Sequence, residues 1–312
     1  MKSMNAEKNI NAANVIKRSI RRHFENNAID EMRKTMINAA NNHNFGAIYD
    51  YHKLKDGDNY PDLRSNMRTI TQDLRNELGI INENQQGFVQ AFKSKEFYIV
   101  HASENNLIDS TKKSLNLFSR ATLMERKMTF CDYSGATQKD LSYLGNDRFV
   151  SFSLEVGRNP KKCKSRFGHH FYRIRYSGNK FSLMHSSMML FDQLNPYLYL
   201  EGSANRERLF NHFNISAESR KQLEGRTIRR GDSSFSGFDN SINGLLYYIL
   251  NDISKLCNEH DRKKLLSARS DDEFNLIING LYRPEVRVPR MAGFLDGEYE
   301  YIKHGSSGCC IS

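Results

Sequence analysis

Phe149-Val150-Ser151-Phe152-Ser153-Leu154-Glu155-Val156 is the stretch on which the fold turns. Large apolar side chains alternate with small or charged ones, the period of a strand with one buried face, and Gly157 ends the run. Phe97-Tyr98-Ile99-Val100 reads as a second, buried strand, His170 to Tyr176 as a third and Phe181 to Met184 as a fourth. Glu285-Val286-Arg287-Val288, bracketed by Pro284 and Pro289, reads as a short fifth. The strands are few and widely separated, with a long polar segment of partly helical spacing over 104–148.

Helical spacing surrounds them. Ile16, Ile20 and Phe24 recur every fourth residue, and Leu63, Met67, Ile70, Leu74 and Leu78 form a stronger stripe between Pro61 and Gly79. Both stripes read as faces packed into a core. Ile242, Leu245, Ile249, Ile253 and Leu256 give a third apolar face, with Asp239 or Asn240 as the expected cap. Asp271 to Gly280 reads as a short helix closed by its glycine. The expected class is α+β, with a helical N-terminal region before a strand-bearing domain. The divisions are a polar leader at 1–14, helices at 15–90, the α+β domain at 91–295 and a flexible tail at 296–312.

The chain of 312 residues carries a formal charge of +10. That charge suits a solvated basic surface, or attraction to anionic lipid or an acidic partner. Nucleic acid is not expected: no zinc finger, ribonucleoprotein motif or aromatic-basic repeat accompanies the charge. The five cysteines show no metal-ligand spacing and fit a reducing compartment. His169-His170 and His185-Ser186 lack the partner spacing that metal or nucleophile chemistry requires. No apolar run is long enough to span a bilayer, and no secretory signal peptide is visible. The polar leader has the character of proteins exported by specialised bacterial secretion systems.

The last four residues, Cys309-Cys310-Ile311-Ser312, read as a prenylation box with Cys309 as acceptor, presented by the flexible Gly305-Ser306-Ser307-Gly308. Such a box requires a eukaryotic prenyltransferase, the chain's own or that of a host, and predicts a protein held on that cell's membranes. One prenyl chain anchors weakly without a second signal. Asp296 to Tyr301 is acidic, so electrostatic help would come from the folded body.

Three strand-borne residues carry the expected chemistry: His101 after Phe97–Val100, Ser151 within Phe149–Val156, and Glu285 opening the last strand. Each alone is ordinary, as a structural histidine, a tolerated serine and an edge carboxylate. In this order the sequence resembles the mono-ADP-ribosyltransferases, in which the first strand ends in His or Arg. The second carries a run like Phe149 to Ser153, and the third opens with Glu as Glu285-Val286-Arg287-Val288-Pro289 does. Leu144-Gly145-Asn146-Asp147-Arg148, leading into Phe149, also looks like host-directed bacterial effectors of that superfamily, including the arginine ADP-riboxanases. No ankyrin array accompanies it here. Arg283 stands where the arginine-specific transferases have an extra Glu or Gln, which weighs against simple transfer to arginine.

The resemblance implies a split β-sheet domain, NAD as substrate, a host protein as acceptor and a secreted effector in the host cytoplasm. Glu285 would stabilise the positive charge that develops on the ribose as nicotinamide leaves. His101 would bind a ribose or the nicotinamide amide, Ser151 would support the glutamate, and Ala102 and Ser103 would line the dinucleotide. Phe118, Phe171 and Tyr172 are candidates for stacking on nicotinamide, and Asp147 for the base toward the acceptor. The absence of Gly-x-Gly-x-x-Gly and of a P-loop fits a site of another kind. The other reading is a non-catalytic, prenylated basic adaptor that binds a membrane-associated partner or anionic lipid.

Overall fold

The computed structural model describes residues 74–128, 146–162, 165, 167–183, 186–190, 204–227 and 234–304, with short helical pieces at 12–16, 19–20 and 23. After a helical turn at 74–78 come α1 (Glu83–Lys93), β1 (Phe97–Ser103), β2 (Ile108–Asp109), β3 (Ser114–Phe118) and α2 (Arg120–Glu125). A 3₁₀ turn (Asn146–Arg148) leads into β4 (Phe149–Val156), followed by β5 (His170–Tyr176) and β6 (Ser187–Met189). Then follow α3 (Ala204–His212), α4 (Ala217–Thr227), β7 (Ser234–Ser236), α5 (Phe238–Ser254), α6 (Glu259–Leu266) and α7 (Asp271–Leu281). The last described elements are β8 (Glu285–Pro289), β9 (Met291–Phe294) and β10 (Tyr299–Lys303).

The alternating run at 149–156 becomes β4, near the middle of a seven-stranded antiparallel sheet of order β10-β5-β1-β4-β8-β6-β7. A second sheet, β2-β3-β9, has three strands. The architecture is mixed α+β. Phe97, Ile99, Phe152, Leu154, Val156, Ile174, Val286 and Val288 share one face of the main sheet by register. They join Phe88 and Phe92 of α1, Leu245 and Ile249 of α5, and Phe274 and Ile277 of α7 in one core. Each such side chain, removed from water, contributes roughly 1.5–3 kcal/mol.

The helices start where their caps dictate. Asn82 and Gln85 bond reciprocally at the start of α1, as do Ser270 and Glu273 at α7. α5 differs from the expected cap: Asp239 and Asn240 lie inside its first turn, and the N-cap is Gly237 at φ 74°. The Gly237 amide instead donates to the Ser186 carbonyl at 2.7 Å, which ties the start of α5 beside β6. α7 continues through Gly280 to Leu281, and Arg283, at φ 58°, takes the left-handed turn that ends it. The amides of Tyr282 and Arg283 both donate to the Ile278 carbonyl. Arg290, after β8, is left-handed too, at φ 62°.

Other expectations are corrected. Phe181–Leu183 is a 3₁₀ turn and not a strand, because the Ser182 hydroxyl is bonded to both backbone groups of Gly293 in β9. The next strand begins only at Ser187. In the first apolar stripe, Ile16 and Ile20 are 58% and 40% exposed, whereas Leu74 of the second is buried. Helical spacing marks an apolar face without naming what covers it. Phe24 and the second stripe before Leu74 lie outside the described residues, as do the leader before residue 12 and the tail beyond His304. The sheet takes its edge strand β10 from the segment read as tail, and α1 straddles the boundary at 90.

Candidate active site

The ladder between β1 and β4 pairs Phe97 with Val156 and stops at Val100 with Ser153. Beyond that point β1 continues against β5 as far as Ser103 opposite His170, while β4 continues against β8 as far as Phe149 opposite Pro289. The main sheet therefore forks. Along the fork run His101, Ala102 and Ser103 on one side and Phe149 to Phe152 on the other. Each strand stays paired with its outer neighbour.

Two side chains bridge the fork at its root. The Ser153 hydroxyl donates to the Val100 carbonyl at 3.3 Å, and His101 Nδ1 lies 3.0 Å from the Ser151 carbonyl oxygen. A carbonyl only accepts, so Nδ1 carries the proton. Burial lowers the His101 pKa, opposed in part by that bond. The neutral ring then presents Nε2 as an acceptor.

Register places Glu285 directly opposite Ser153, and Ser151 opposite Arg287. Paired residues of an antiparallel ladder share a face, so Ser151, Ser153, Glu285 and Arg287 lie together. His101 belongs to the other face by alternation; its ring packs edge-on to Phe152 at 5.7 Å and its register partner on β5 is Tyr172. Its contact with the serine strand is to backbone, in the plane of the sheet. The hydroxyl opposite the glutamate is that of Ser153, one pleat from the expected Ser151. Nothing in the sequence could single it out, because the pairing of residues 153 and 285 is a matter of register.

Arg287, which the sequence presents as an ordinary strand charge, also belongs to this face. Its Nη2 donates to Glu285 Oε2 at 2.7 Å, with the arginine side chain 1% exposed and the glutamate 14%. The guanidinium lies 5.7 Å from the centre of the Phe149 ring, with Ser187 of β6 on its other side by register. At the opposite end of this face Arg173 pairs with Glu155, both buried, and Glu155 accepts from the Lys162 amide at 2.7 Å. The chain after β4 thus doubles back over that end and leaves the fork end, where Ser151 and Ser153 are partly exposed.

The expected stacking rings are covered. Phe171 is buried edge-on to His304 at 5.1 Å. Tyr172 is buried and stacked on Tyr301 at 5.6 Å, and its hydroxyl accepts from the Leu107 amide at 2.6 Å. Burial pushes its pKa up to about 12. Phe118, at the end of β3, carries the Arg126 guanidinium 4.6 Å above its ring. Ser103 accepts from the Asn105 amide at 3.2 Å, and Ala102 pairs with Phe171. Asp147 sits partly buried in the 3₁₀ turn before β4. Cys309 lies outside the described residues.

Among the described residues no group of three or more His, Cys, Asp or Glu side chains could hold a metal ion. No described helix is long and apolar enough to cross a membrane. The sequence matches no family model and no curated protein.

Proposed function

We propose that the chain is an NAD-dependent ADP-ribosyltransferase that modifies a host protein. What supports this reading is one arrangement: His101, the Ser151–Ser153 run and Glu285 occupy three adjacent strands at a fork in the sheet. The fork fits the ADP-ribosyltransferase-like split sheet. A dinucleotide lodged there meets groups from both faces, His101 Nε2 from one and the Glu285 carboxylate from the other.

In the reaction the bond between ribose C1′ and the nicotinamide nitrogen breaks, and nicotinamide leaves with the electron pair. Glu285 bonds the adjacent ribose hydroxyl and stabilises the positive charge spread over C1′ and the ring oxygen. The acceptor side chain attacks C1′ and loses its proton, for which Asp147 is the candidate base. The position two residues before Glu285, where the arginine-specific transferases carry an extra Glu or Gln, holds Arg283 in a left-handed turn, which favours an acceptor chemistry other than simple arginine transfer. A prenyl group on Cys309 would concentrate this secreted effector at host membranes.

A second reading has an observation of its own. Glu285 pairs with a buried arginine, as a structural carboxylate would, and the chain would then be a non-catalytic basic adaptor. Glu285→Gln separates the two, because the amide oxygen still accepts from Arg287. With labelled NAD and host lysate, the wild type is expected to label a host protein and release nicotinamide. The variant should retain its thermal midpoint and lose roughly 10²–10³-fold in rate. A wild type that releases no nicotinamide in any lysate sinks the transferase.

A further inference from the structure

We infer that Arg287 is the positioning residue for Glu285, fixing which carboxylate oxygen is offered to the ribose. The inference rests on the transferase reading and adds a part that this reading does not assign. Arg287 and Glu285 are two apart on β8 and so project from one face. Arg287 Nη2 takes Glu285 Oε2 at 2.7 Å, and Oε1 has no protein partner among the described residues. One oxygen is held while the other remains for a substrate hydroxyl.

The arginine is suited to hold it. The planar guanidinium is rigid and always charged. Here it is fully buried between the Phe149 ring and β6, so its place is set by packing. The backbone of Glu285 is fixed by pairing on both sides, but its side chain otherwise has three torsions free to turn the carboxylate from the fork. Lysine offers one compact ammonium on a flexible stem and cannot impose the same direction.

The test is a cycle of Arg287→Met, Arg287→Lys, Glu285→Gln and the double variants, in the full chain. Nicotinamide release is measured against NAD concentration, with circular dichroism and thermal midpoints alongside. Arg287→Met should lower kcat on the order of 10²-fold, the effect of an ångström-scale misplacement, with KM for NAD nearly unchanged. Arg287→Lys should recover only part of that loss. In the Glu285→Gln background either change should add almost nothing, because both act through one carboxylate.

A folded Arg287→Met with wild-type kcat overturns the inference while leaving the transferase intact. Losses that multiply in the double variants also overturn it, since they mark two independent effects. If Arg287→Met does not fold, the lysine pair completes the same cycle. A wild type that releases no nicotinamide removes the transferase and this inference together, a pattern distinct from the other two.

Discussion

At the scale of single residues, His101 has the most direct consequence for solution behaviour. Its burial disfavours the imidazolium, so its pKa in the folded chain lies below the ordinary value of about 6.5. The unfolded state therefore binds more protons as pH falls through and below 6.5, and folding stability drops in that window; above it the contribution is fully present. His170, whose pKa burial also lowers, adds in the same direction. Between pH 7 and pH 5 the urea midpoint of the wild type should fall, and that of His101→Asn should fall less. Equal slopes would show that His101 does not titrate differently on folding. His101, Ser151 and Glu285 stand out in the sequence only together, as an ordered set that resembles a known family; each alone is ordinary. Ser153 and Arg287 were not visible. Which serine faces a glutamate 132 positions away depends on register, and an arginine within Glu-Val-Arg-Val reads as a solvated charge until β4 and β6 enclose it.

At the scale of elements, length and regular period decided what could be read. The eight residues of β4 and the seven of β5 carry their own alternation, and both strands keep the bounds read from sequence. β6 and β7 have three residues each, too few for any period, and exist through their neighbours. Gly280 shows how a correct residue can be given the wrong task. It reads as a helix stop, but it lies within α7 where that helix crosses α3. A Cβ there would meet Leu209 Cβ and Cδ2 at 2.9 Å and the Asn205 carbonyl oxygen at 3.2 Å. The missing side chain permits close approach. Gly280→Val should therefore destabilise the fold by about 1–3 kcal/mol through overpacking, read from urea denaturation. A neutral result would mean that α3 moves away freely.

At the scale of the whole molecule, the last described strand belongs to the main sheet. β10 pairs with β5 over five positions, and Glu300 there salt-bridges the buried Arg173 at 2.9 Å. A chain ending at residue 295 would bare the outer edge of β5 and remove one partner of that arginine. It should be recovered mostly as aggregate, whereas a chain ending at His304 keeps every described strand. Soluble yield and circular dichroism check this; soluble, folded protein ending at 295 would show that β10 is dispensable. The tail looked separate in the sequence because Asp296 to Tyr301 is acidic and leads toward the flexible Gly305-Ser306-Ser307-Gly308. Only the partner strand reveals the five that pair. The same dependence on handedness and pairing governs β8, which lies between two left-handed arginines, Arg283 and Arg290. Slipping β8 by one residue would send Glu285 into the helix-covered core and turn Val286 outward. A substitution at position 283 or 290 is thus tested by the sign of a backbone torsion before it is tested by charge. Glycine, asparagine and aspartate are the neighbours in sequence space through which those two sites can drift while the carboxylate still faces the fork.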